Sequence, residues 1–148
     1  MRSLIAMLVA VTLPLSVVSA NELATMPSKH SVEETLDRLT AALKDKGITP
    51  VARIDHASAA KAAGLALKPT AVLLFGNPRL GTPLMQSNRL IAIDLPMRIL
   101  AWEDDAGKVW IAYNRPETLK SRYDIQGHEQ AWQAMSGALE NFARAAAD

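Results

Sequence analysis

Apolar positions recur along this chain with two periods, and the change from one to the other marks out its elements. Val32, Leu36, Leu39 and Leu43 fall three or four residues apart, the stripe of an amphipathic helix. Ser31-Val32-Glu33-Glu34 ahead of them forms a capping box, Lys44 and Lys46 suit the last turn, and Gly47 provides a left-handed stop, so a helix is expected over 32–46. A strand is expected over 49–54, then a short helix from His56 to Ala63 capped by Asp55 and ended by Gly64. Thr70 to Phe75, bounded by Pro69 and Gly76, reads as a buried strand. The turn-rich run Gly76 to Pro83 is expected to be a loop that ends with Thr82 as N-cap and Pro83 at the first position of a helix over 83–88. Residues 89–97 fit an extended or a helical backbone, with a boundary at Pro96. Two alternating runs, Arg98 to Asp104 and Lys108 to Asn114, flank Asp105-Ala106-Gly107 and predict a hairpin that sets Trp102 opposite Trp110 and Leu100 opposite Ala112. Pro116 suits a helix start within 115–123, and Trp132, Met135, Leu139 and Phe142 form the buried stripe of a C-terminal helix over 128–146.

These elements imply an α+β domain: a small, mainly antiparallel sheet of four or five strands packed with helices, compact and single, over residues 30–148, with residues 21–29 as a lead-in that can hold a short first strand. The hairpin has two apolar faces. Ile99, Ala101, Val109, Ile111 and Tyr113 share one; Leu100, Trp102, Trp110 and Ala112 share the other. Such a sheet needs two covers. Helices supply one, and a second subunit is the expected source of the other, so a homodimer is expected.

The first twenty residues stand apart. Arg2, the apolar run Leu4 to Leu13, and Val18-Ser19-Ala20 give the order of charge, apolar core and small-residue cleavage site of a secretory signal. Cleavage is expected near Ala20 and a periplasmic or secreted location follows, with membrane contact only during export; an uncleaved anchor is the alternative. The chain carries 16 basic and 15 acidic residues, and Arg2 is the sole charged residue among residues 1–20, so the remainder carries 15 of each. A neutral chain without a basic patch argues against nucleic acid as a partner. With no cysteine there is no disulfide, thiolate chemistry or thiolate metal site.

His30, His56 and His128 are the only histidines and show no metal-ligand spacing, so no metal and no cofactor are expected. No nucleophile elbow, phosphate loop or dinucleotide fingerprint occurs. Three features remain. Asp55-His56 at a helix start fits a base or ligand site, or a cap with a locally packed histidine. Gly76 to Thr82, with Asn77, Arg79 and Gly81, lets backbone approach a ligand and offers a helix end to an anion; it also fits a plain strand-to-helix connection. Asp94, between Ile93 and Leu95, fits a tuned buried acid or the partner of a nearby arginine.

In order along the chain stand Asp55-His56, Gly64-Leu65, Pro69-Thr70, Phe75-Gly76-Asn77-Pro78, Gly81-Thr82-Pro83-Leu84-Met85, Asp94-Leu95-Pro96 and the hairpin W-E-D-D-A-G-K-V-W. This series resembles the domain of unknown function 302 family across about residues 30–145. The resemblance implies a compact α+β fold and homodimers, and no established activity, substrate or cofactor. Asp55, His56, Asn77, Gly81, Thr82 and Asp94 match its motifs and are candidates for a shared pocket.

The expected function is therefore an exported small-ligand-binding or accessory domain, holding a small polar or anionic ligand near His56, Asn77, Arg79, Thr82 and Asp94. The alternatives are a structural or interaction dimer without ligand, and a hydrolase or isomerase using His56 as base with Asp55 or Asp94.

Overall fold

The computed structural model describes residues 22–148; the expected export signal over 1–20 lies outside the described residues. One five-stranded antiparallel sheet runs through the domain. Its strands are β1 (Leu23–Pro27), β2 (Ala52–Asp55), β3 (Thr70–Phe75), β4 (Met97–Glu103) and β5 (Val109–Asn114), in spatial order β1-β5-β4-β3-β2. Five α-helices accompany it: α1 (Val32–Asp45), α2 (His56–Ala62), α3 (Pro78–Ser87), α4 (Pro116–Arg122) and α5 (Glu129–Ala147). A short 3-10 helix covers Arg89–Ile93. The α+β class and the antiparallel sheet are those the sequence predicts.

Local chemistry accounts for most boundaries. Ser31 Oγ accepts from the Glu34 amide at 3.2 Å, which starts α1. The Glu34 carboxylate, expected to close the box on Ser31, faces His30 Nδ1 at 3.0 Å instead, because an N-terminal histidine one turn away offers it a ring N–H. Gly47, at φ +70°, lets the Ile48 amide fold back onto the Leu43 carbonyl at 2.9 Å, closing the C-terminus. β2 starts later than expected because Pro50 has no amide to donate; pairing begins where the Val51 amide reaches Leu74 at 2.7 Å. The hairpin register is as predicted, with Trp102 opposite Trp110 and Leu100 opposite Ala112. Its turn is fixed by Asp104, whose carboxylate accepts from the Ala106 and Lys108 amides, both at 2.9 Å, and from Trp110 Nε1 at 2.7 Å.

α1 and α5 pack on each other and cover one face of the sheet. The core there joins Leu36, Leu39 and Leu43 of α1 with Leu73, Phe75, Ile99 and Ile111 of the strands and the Trp132, Met135, Leu139 and Phe142 stripe of α5. Phe75 and Phe142 meet edge to face, ring centres 5.8 Å apart. The side chains of the opposite face lie outside this core. Leu74, Leu100, Trp102 and Trp110 are half-buried there, and Ile54 is exposed. The two tryptophans stack at 6.4 Å, and Lys108 Nζ sits 4.2 Å from the Trp110 ring centre.

Candidate functional site

The largest correction concerns the run after β3. Gly76 to Pro83 is mostly helix. Asn77 is the N-cap of α3, extended at φ −124°, and its Oδ1 accepts from the Arg79 amide at 2.9 Å; Pro78 takes the first helical position. Asn caps more strongly than Thr, and Asn77-Pro78 repeats the cap-and-proline pattern five residues earlier than Thr82-Pro83. Thr82 is therefore no cap, and Pro83 lies inside the helix. Gly76 has a steric reason to be glycine: a Cβ there would lie 3.1 Å from Pro96 Cβ.

The same geometry removes the expected anion site. Pro78 has no amide hydrogen, Arg79 N is taken by the Asn77 side chain, and Leu80 N and Gly81 N both bond the Asn77 carbonyl at 2.9 and 3.0 Å. The first turn of α3 has no free donor left for a ligand anion. Arg79 is exposed and does not border the cavity described next.

A cavity of about 360 Å³ lies beside α3. Leu80, Gly81 and Met85 of α3 form one wall. Ala92 of the 3-10 helix, with Leu95 and Pro96 between that helix and β4, forms the facing wall. Met97 of β4 and Met135 of α5, both buried in the core, close it on the inside. Val51, Asn77 and Thr82 border it and are solvent-exposed, which places them at the mouth. Of the candidates, the structure thus brings Asn77, Gly81 and Thr82 together around one space. The wall residues Met85, Leu95, Met97 and Met135 escape sequence reasoning, since apolar residues on four separate elements have no diagnostic spacing. Met85 and Leu95 stood inside the motifs quoted above and were the only signal available.

His56 is elsewhere. It opens α2 and is exposed. Its neighbour Asp55 pairs with Ala71, near the start of β3, whereas Asn77 follows the end of that strand. At the rise of an extended chain the two sites are roughly 20 Å apart. A ligand spanning His56 and Asn77 is excluded as a small molecule. Asp55 works as a cap: its two carboxylate oxygens accept from the Ser58 amide at 2.9 Å and the Ser58 hydroxyl at 2.7 Å. The Ser58 hydroxyl, followed by the Ser58 amide, holds this carboxyl below its ordinary value.

Asp94 is the arginine partner. Its Oδ2 accepts from Arg122 Nη1 at 2.9 Å and from the Tyr123 hydroxyl at 2.5 Å, and Arg122 reaches on to Glu22 at 3.1 Å. Hydrogen bonding to the carboxylate raises the Tyr123 phenol and keeps the Arg122 guanidinium charged. This ties the end of the 3-10 helix to the end of α4, one residue before Leu95 of the cavity wall. Among the described residues, no group of three His, Cys, Asp or Glu side chains is placed to hold a metal ion. No helix among them is long and apolar enough to cross a membrane.

The chain is 46% identical over 112 residues to the fluoride-specific ion channel FluC 1 of Brucella suis biovar 1, a match that spans 76% of this chain and 44% of that protein. It is equally similar to the fluoride-specific ion channel FluC 2 of Brucella melitensis biotype 1, of which it spans 42%. The chain thus corresponds to less than half the length of these relatives. A crystal structure of an uncharacterized conserved DUF302 protein from Bacillus stearothermophilus has the same fold, with a TM-score of 0.68 over 87% of this chain and 98% of that one, at 21% identity. Residues 24–142 match the family described as domain of unknown function DUF302, and the chain belongs to that family.

Proposed function

We propose that this chain is an exported, periplasmic accessory domain that holds a small ligand in the cavity beside α3. The cavity itself carries the reading: the Gly76–Met85 segment, where the sequence motifs are densest, folds around a space of about 360 Å³, within the usual size of small-molecule sites. The order of charge, apolar core and small residues over 1–20 supports export. The relatives support the accessory role. They are named as fluoride channels, this chain matches under half of each, and no described helix can cross a membrane, so its part is expected beside a transporter rather than as the pore. Fluoride itself, a strongly hydrated anion, does not match an apolar cavity and serves as a control. The histidine-dependent hydrolase or isomerase loses its support, because Asp55 is spent on Ser58 and Asp94 on Arg122 and Tyr123.

The test is a thermal-shift screen of the exported protein against metabolites and halides, repeated with Gly81→Leu, which fills the cavity. A ligand that binds the folded state raises the melting temperature by mass action. Shifts that vanish in Gly81→Leu support the site; shifts that survive it place binding elsewhere and overturn the reading.

One observation favours a second role alongside the first. The open sheet face, with Leu74, Leu100, Trp102 and Trp110 half-buried, is suited to pairing with a second copy of the chain, as expected from the two apolar faces of the hairpin.

A further inference from the structure

We infer that the ligand of this cavity is a neutral, largely apolar molecule of one to two rings or the equivalent branched hydrocarbon, with any polar group held at the Asn77–Thr82 mouth. The inference rests on the binding role proposed above and replaces the polar or anionic ligand expected from the loop.

Four observations lead to it. First, among the described residues no ionisable side chain borders the cavity, and the two polar side chains that do, Asn77 and Thr82, are solvent-exposed at its mouth. A charged ligand inside would shed its hydration and find no partner. Second, the first-turn amides of α3, those of Arg79, Leu80 and Gly81, are already bonded to Asn77, so the helix end does not supply that partner either. Third, three of the four methionines beyond residue 20 (Met85, Met97 and Met135, but not Met26) border this one space. Thioether side chains are unbranched and polarisable and pack well against aromatic and irregular apolar ligands. Fourth, Gly81 sits in the α3 wall although nothing in the fold demands glycine there. A Cβ at this position would make only ordinary contacts, 3.5 Å to Leu95 Cδ1 and 3.9 Å to Met85 Cε. Glycine at that point leaves cavity space that any other residue would take.

Size agrees with that class. An engineered cavity of about 150 Å³ takes up benzene. A space of about 360 Å³ therefore admits a two-ring molecule.

The probes are 1-naphthol, neutral with one polar end, its anionic counterpart 1-naphthoate, and inorganic phosphate. They are titrated into the exported protein carrying methyl-labelled methionine and followed by NMR. The expected result is that 1-naphthol moves the Met85, Met97 and Met135 methyl signals and leaves Met26 in place. Naphthoate is expected to bind at least about tenfold more weakly, and phosphate to move none of the three. Gly81→Leu abolishes the naphthol shifts; Thr82→Val, which keeps size and removes the hydroxyl, leaves the apolar contacts and so retains them if Gly81→Leu folds poorly. If naphthoate or phosphate moves the same three methyls as strongly as naphthol, the ligand class is overturned while the cavity remains a binding site. If no probe moves them, both this inference and the binding role fall.

Discussion

Replacing Gly81 by alanine separates a glycine kept for folding from one kept for space. Gly81 occupies the interior of α3, and its backbone lies outside the left-handed region where glycine is needed. Alanine is favoured over glycine in a helix interior by about 1 kcal/mol, because it loses less backbone entropy on folding. The new methyl would meet Leu95 Cδ1 at 3.5 Å and Met85 Cε at 3.9 Å, ordinary contact distances that add a fraction of the ~0.8 kcal/mol available to a fully buried methylene. Gly81→Ala is therefore expected to stabilise the protein by about 1 kcal/mol, read as a higher urea midpoint at unchanged slope and a melting temperature raised by roughly 3–5 °C for a domain of this size. The same methyl narrows the cavity, so ligand-induced shifts should shrink. Greater stability with weaker binding is the signature of a residue held for function. Gly76→Ala is the control: its Cβ would press on the Pro96 ring at 3.1 Å, and overpacking of this kind costs about 1–3 kcal/mol. If Gly81→Ala destabilises the protein as Gly76→Ala does, the glycine is structural and the argument from spare room at α3 is wrong.

Three further outcomes follow from the same geometry. His56→Ala, on an exposed helix start far from the cavity, should change stability by no more than about 0.5 kcal/mol and leave ligand shifts intact; loss of binding would reinstate the histidine site. Both tyrosines titrate above their ordinary value of 10.0, Tyr123 through its hydrogen bond to Asp94 and Tyr113 chiefly through burial, so tyrosinate absorbance should rise later than in the unfolded chain. Folded values above the unfolded one mean that this contribution to stability is complete below pH 10.0 and fades as pH climbs through the folded values. Asp94→Asn removes the carboxylate, so the Tyr123 titration should move back down while Tyr113 stays put; coincident movement of both would contradict the contact.

The sheet and its register were legible because strands and hairpins announce themselves by alternation and by turn chemistry: Gly107, at φ +80°, closes the hairpin where the sequence places it. The α5 stripe was legible for the same reason, at helical period. The start of α3 was not, because two cap-and-proline pairs compete within seven residues and the choice depends on where β3 releases the chain. The site was legible only in part. Asn77, Gly81 and Thr82 stand out by residue type, but the methionine and leucine walls arrive from α3, β4, α5 and the turn before Pro96, and such convergence is a property of the tertiary fold. His56 misled because a histidine beside an aspartate reads as chemistry, whereas Asp55 caps its own helix through Ser58 in the first turn.

The open sheet face offers the last prediction, and it is independent of the cavity. Leu100 lies in the middle strands of that face, opposite Ala112 and Val72, while its neighbours Ile99 and Ala101 point into the core. If a second copy covers this face, a carboxylate at Leu100 would be buried against apolar groups with no partner, and the dimer should dissociate. If the face is solvated, the same carboxylate costs little, since alternate residues of an antiparallel sheet can face water. Leu100→Glu is therefore expected to convert a dimer to a folded monomer, measured by sedimentation, with the circular dichroism of the sheet retained. Because Met97 and Met135 border the cavity from the core side, their methyl signals should still respond to 1-naphthol in that monomer. A wild-type protein that sediments as a monomer at tens of micromolar would remove the second copy as the cover, and would leave the two stacked tryptophans half-exposed on a solvated face.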